Sequence, residues 1–133
     1  MAMEKYKKPR PGTWQRRHTV PKLSIGTTGL VLNRKATERV GLDKKAVLLY
    51  FDREFDVIGL WFFQDKKTIE EAHDAYAVVL HSKYHTAKIA ARTFIERFGL
   101  IKKVEKLGTS SFFLEYDKNY ATGRDYYVAR MVL

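Results

Sequence analysis

The chain has 133 residues, 45% of them hydrophobic and 14% aromatic, enough for one domain with an interior of its own. It contains no cysteine, which excludes disulfides, a thiolate nucleophile and cysteine-ligated zinc or iron–sulfur sites. Twenty-five Lys and Arg face fifteen Asp and Glu, for a formal charge of +10 and a pI near 9.8; such a balance attracts polyanions.

Residues 1–20 read as a flexible basic arm. Lys5, Lys7, Lys8, Arg10, Arg16 and Arg17 meet only Glu4, among Pro9, Pro11 and Gly12. This composition cannot bury enough apolar surface to fold alone, and it suits an arm reaching along nucleic acid as well as a solubilising tail. Residues 21–133 read as a single α+β domain. Segments 22–26 and 29–33 pattern as strands joined at Thr27-Thr28-Gly29. Asn33 is a fair N-cap for a helix over 34–40 that Gly41 would close in the left-handed conformation. Segments 46–52 and 57–63 form a second hairpin around Arg53-Glu54-Phe55-Asp56. Both are almost continuously apolar, as in central strands covered on two faces.

Thr68-Ile69-Glu70-Glu71 fits a capping box. Residues 76–82 and 86–90 then predict a hairpin turning at Lys83-Tyr84-His85, and residues 92–98 a helix ended by Gly99. Residues 104–107 read as a short edge strand. Segments 111–117 and 125–133 predict the last hairpin, turning through 119–123.

A repeat organises these elements. Laid over each other without a gap, residues 31–45 and 89–103 agree at seven positions: Arg34/Arg92, Glu38/Glu96, Arg39/Arg97, Gly41/Gly99, Leu42/Leu100, Lys44/Lys102 and Lys45/Lys103, with Val31/Ile89 and Val40/Phe98 apolar in both. The expected fold is therefore an antiparallel sheet carrying two short helices, as a pseudo-twofold internal repeat of ββαββ units with halves at about 22–63 and 76–133.

Two resemblances follow. The hairpin, Asn33, the short helix ending in Val40-Gly41-Leu42 and the second hairpin, over residues 22–63, resemble the swapped-hairpin AbrB-type transcription regulators, in which two ββαββ chains interlock and basic residues contact DNA. Four antiparallel strands followed by a helix, repeated, are similar in topology to the Whirly and coactivator-type single-stranded-DNA binders. Both resemblances imply DNA binding.

The residues point the same way. Tyr50, Phe51, Trp61, Phe62, Phe63, Phe112, Phe113, Tyr116, Tyr126 and Tyr127 crowd the strands, as a core requires and as a stacking platform for bases would. Alternation puts Tyr126, Val128, Arg130 and Val132 on one face of the last strand and Tyr127, Ala129, Met131 and Leu133 on the buried one, so Tyr126 and Arg130 form the candidate exposed pair. Lys44 and Lys45, and Lys102 and Lys103, follow the two helices as candidate phosphate contacts, joined by Lys7, Lys8, Arg10, Arg16 and Arg17 of the arm. The recurring Arg34, Arg39, Arg92 and Arg97 read rather as helix surface neutralised by Glu38 and Glu96.

His81 and His85 would share a helical face able to hold a metal, but a hairpin breaks that geometry. Asp52, Glu54 and Asp56, or Glu70, Glu71 and Asp74, could serve a metal-dependent nuclease, yet acidic turns are usually only solvated. No phosphate loop or nucleophile elbow is present. The expectation is a non-enzymatic nucleic-acid-binding protein, DNA before RNA, without cofactor or metal. The alternative is a structural or protein-interaction module, a small homodimer pairing through the 104–107 edge. No run approaches the roughly 20 apolar residues that span a bilayer, and the N-terminus lacks the apolar core of a secretory signal. The expected location is cytoplasmic, away from membranes.

Overall fold

Alternating apolar positions become strands in the computed structural model, which describes residues 20–65, 73–81, 83–117 and 126–132. The basic arm, the 68–71 capping box and the 119–123 turn lie outside the described residues. In chain order the elements are β1 (Lys22–Ile25), β2 (Leu30–Leu32), α1 (Arg34–Val40), β3 (Ala46–Asp52), β4 (Val57–Phe63), β5 (Ala75–His81), β6 (Thr86–Ile89), α2 (Arg92–Arg97), α3 (Leu100–Leu107), β7 (Ser111–Tyr116) and β8 (Tyr126–Arg130). Each strand overlaps a segment expected as a strand, but β3, expected to be covered on two faces, turns Tyr50 and Asp52 to the outside.

Their assembly corrects the expected fold class. The strands do not make an open sheet carrying two helices; they close into an eight-stranded antiparallel barrel ordered β1-β2-β6-β5-β3-β4-β8-β7, with β7 pairing back on β1. Hairpin β3–β4 sits between β5 and β8, and hairpin β7–β8 between β4 and β1. The reason is closure: an open sheet would leave two rows of unpaired backbone groups, and a barrel pairs them all. Inward positions interdigitate into one apolar interior that includes Leu23, Leu30, Val47, Leu60, Phe62 and Ile89, none more than 1% exposed.

The expected ββαββ repeat is overturned as well, since the second half carries two helices. Residues 104–107, expected as an edge strand, lie inside α3, where Leu100, Ile101, Val104 and Leu107 turn one side to the core. The helix expected over 92–98 and ended by Gly99 is found as α2, which stops at Arg97 with Gly99 left-handed at φ 60° and ψ 38°; the further helix α3 directly after it is unexpected. Gly41, at φ 111° and ψ 133°, is not left-handed helical. The ungapped match of Val31 with Ile89 also fails: Val31 faces outward, 38% exposed, and Ile89 is fully buried. One residue separates β2 from α1 and two separate β6 from α2, and a one-residue offset turns every side chain of a strand to the opposite face. The circle of strand neighbours is unchanged when β1–β4 are exchanged for β5–β8, a regularity of pairing that the residue alignment does not carry.

Asn33 caps α1 as expected and does more. Its side-chain oxygen accepts from the Ala36 N–H at 2.8 Å and the Lys22 N–H at 3.1 Å, while its amide donates to the Val20 carbonyl at 2.8 Å. One side chain thus starts the helix and ties it to the chain entering β1. At the other end of α1, the Tyr127 hydroxyl donates to the Arg39 carbonyl at 3.0 Å, binding the helix to β8.

Candidate nucleic-acid interface

Pairing order sorts the outward side chains into two walls. The first is made by β5, β6, β2 and β1. Registers align Val79, Lys88, Val31 and Ser24 in one row across it, with His81 opposite Thr86 and Lys22 on the flanking row. No outward strand position of this wall, among the described residues, is acidic. Lys22 Nζ lies 5.4 Å from the centre of the Phe113 ring on neighbouring β7. At the β5–β6 tip the His81 and Tyr84 rings stack at 4.8 Å, with Lys83 Nζ 5.4 Å from the Tyr84 ring centre. These are cation–π distances.

The second wall, β3, β4 and β8, is aromatic. Leu48, Trp61 and Tyr126 form one row; Tyr50, Gly59 and Val128 form the next, continued by Glu115 of β7; Asp52, Val57 and Arg130 form the third. Trp61 stacks on Phe63 at 5.7 Å, and the Tyr50 and Tyr126 rings stand 6.3 Å apart at 51°. Gly59 is the floor: a Cβ there would collide with the Tyr126 hydroxyl, so bare backbone is what lets Tyr126 lie across β4. Two clefts open beside Tyr50. One, of about 490 Å³, runs past Gly59 and Tyr126 to Arg130; the other, of about 790 Å³, runs past Leu48 and Thr93 to Arg97.

The expected site residues part company here. Tyr126 and Arg130 do share the outer face of β8 and line one cleft, with Ala129 and Met131 buried behind them. Val128 lies between them, outward yet only 3% exposed. The lysine pairs occupy separate places. Lys44 approaches Asp43 at 3.7 Å. Lys45 is exposed while its backbone joins β4 to β5, donating to Phe63 O at 2.8 Å and accepting from Val78 N–H at 3.0 Å. Lys103 is bound to Asp56 at 2.9 Å and lies 5.8 Å from the Phe51 ring centre; Lys102 stands exposed on α3 in a cleft with Glu96 and Glu105. Lys45 precedes β3 and Asp56 follows it, so the length of that strand, about 23 Å at roughly 3.3 Å per residue, separates the two pairs. Lys7, Lys8, Arg10, Arg16 and Arg17 lie outside the described residues.

Arg34–Glu38 and Arg92–Glu96 are exposed ion pairs at 3.1 and 3.0 Å. The acidic turn is spoken for locally: Asp52 Oδ1 accepts from the N–H groups of Glu54 (2.9 Å) and Phe55 (3.3 Å), and Asp56, at φ 52°, pairs with Lys103. His81 Nδ1 accepts from the Tyr84 N–H at 3.4 Å, and no group of three metal-ligating side chains occurs among the described residues. Lys22 and Lys88 are the functional candidates that spacing alone misses, and Tyr50 is one aromatic among ten until the clefts single it out. Alternation marks each as outward, but only the pairing order gives them their neighbours.

No family model, no curated protein and no solved structure matches the chain. Among the described residues no helix is long and apolar enough to cross a membrane.

Proposed function

We propose that the chain is a non-enzymatic nucleic-acid-binding protein, DNA before RNA, that contacts phosphates through the wall of β5, β6, β2 and β1. The observation that carries this reading is the acid-free outer face holding Lys22 and Lys88, with Lys83 at its tip. Phosphate neutralisation releases counterions whatever the sequence, and an acid-free face avoids the opposing carboxylates that blunt it elsewhere on this barrel. The +10 formal charge supports long-range attraction of the same ligand. Strand positions pack apolar side chains inward, whereas a membrane-spanning barrel has a polar lumen, which supports a partner other than lipid.

Fluorescence anisotropy with labelled DNA over a range of salt concentrations tests the reading. The variant Lys22→Glu/Lys88→Glu should bind more weakly, and its salt slope should fall by about 0.7–0.9 for each phosphate that is no longer neutralised. An unchanged slope would remove this wall from the interface.

A second reading, a protein-interaction module, draws on Val79 and Val31, 62% and 38% exposed on either side of Lys88. Pairing through a 104–107 strand edge is closed to it, because that segment is helical. Light scattering would then report a stable homodimer, with DNA released at physiological salt.

A further inference from the structure

We propose that the groove over Tyr50 selects single-stranded nucleic acid, with consecutive bases lodged on opposite sides of the Tyr50 ring and the adjoining phosphates reaching Arg130 at one end and Arg97 at the other. This rests on the nucleic-acid reading above and adds the class of strand to it. Among the described residues, Tyr50 is the side chain shared by the 490 Å³ and the 790 Å³ clefts, and it is 45% exposed. It is a ridge between two hollows, each within the range of roughly 300–1,000 Å³ that accepts a small-molecule-sized group.

The chemistry of the hollows suits bases flanked by phosphate. The first offers the rings of Tyr50 and Tyr126 over the bare Gly59 backbone, with Arg130 at its margin; the second offers Tyr50, Leu48 and Thr93, with Arg97 at its margin. Both arginines are exposed, and Arg130 stands 4.0 Å from Glu115, at the outer limit of an ion pair. The carboxylates facing the groove are Asp52 and Asp117 in the first hollow and Asp74 in the second. They accept hydrogen bonds and so suit the amino and imino edges of bases, while Asp52 is partly satisfied by its own turn. A duplex keeps its bases stacked on one another and cannot straddle a tyrosine; an unpaired strand can, and stacking tolerates any base because every base has a π-face.

Anisotropy with a short labelled oligothymidine and a duplex of equal length, on the full chain, tests the assignment. Tyr50→Ala should weaken single-strand binding roughly 5- to 150-fold, the range that loss of base stacking gives, and leave the duplex unchanged. Tyr50→Phe should stay near wild type. Arg97→Gln, at an exposed site, should weaken single-strand binding and reduce its salt slope by about 0.7. Equal response of single strand and duplex to Tyr50→Ala, or no response to either it or Arg97→Gln, overturns the groove. If Lys22→Glu/Lys88→Glu still weakens binding in that case, the proposed function stands and only the groove falls. If wild type releases every nucleic acid at physiological salt, the proposed function itself falls.

Discussion

The two outer walls of the barrel share one interior and differ in almost everything else. The wall of β5, β6, β2 and β1 presents Lys88, Lys22, Val31, Val79, Ser24 and Thr86, basic, aliphatic or hydroxyl side chains. The wall of β3, β4 and β8 presents Tyr50, Trp61, Phe63 and Tyr126 around a glycine, with Asp52 and Arg130 at its margin. The inward positions of both are interchangeable in kind: Leu, Ile, Val and Phe meeting at close packing. What distinguishes the walls is decided by the outward, alternate positions of the strands. One suits a repeating charge; the other suits flat apolar groups.

Breaking the shared interior should abolish the distinction. Phe62 is 1% exposed, and Phe62→Ala should cost about 3–5 kcal/mol, seen as a lowered denaturation midpoint with both walls losing ligand together. Loss of one activity without the other would show that the walls fold independently. Gly59→Val should act on the aromatic wall alone. Its branched side chain meets the Tyr126 hydroxyl and should cost about 1–3 kcal/mol by overpacking. Single-strand binding should fall and the salt slope conferred by Lys22 and Lys88 should persist. Adding Tyr126→Ala should restore much of the melting temperature, since it vacates the disputed space.

Asn33→Ala tests the seam at which the basic wall begins. Losing the cap of α1 should cost about 1 kcal/mol, and the tie to β1 goes with it; hydrogen exchange should quicken in β1 and α1 before β4. The smallest effect is expected at Lys103→Met. Its ion pair with Asp56 joins two half-exposed side chains, 35% and 40% accessible, and such pairs contribute about 0–1 kcal/mol. Nucleic-acid affinity should barely change, because this lysine is engaged with the barrel. A large loss of binding would return Lys103 to the interface.

Much of the local structure is legible in the chain. The hairpin of β3 and β4 reads from two apolar runs flanking Arg53-Glu54-Phe55-Asp56, and the Asp52 side chain closes that turn as aspartate does. Asn33 reads as a cap because a short side-chain acceptor precedes a helical pattern. Tyr126 and Arg130 read as outward from alternation alone. The α3 helix is hidden although its signal is present: Leu100, Ile101, Val104 and Leu107 recur at helical spacing, but 104–107 taken alone passes for a strand. Val31 and Ile89 align as equivalents only when identity is counted across a linker that differs by one residue, where face and not identity is what counts.

By itself, then, the order of amino acids marked the segments that become the eight strands, the two faces of β8, and where α1 starts, because these depend on neighbours within a few residues: apolar patterning, turn chemistry and capping. It also determined the excess of positive charge. Only the tertiary structure decided that the strands close into a barrel and that β2 meets β6 and β4 meets β8. Only that pairing placed Lys88 beside Val31, and Tyr126 across Gly59 beside Tyr50. Those contacts join residues far apart in the chain, and they are selected by the joint demand that one apolar interior be filled and every strand edge be paired.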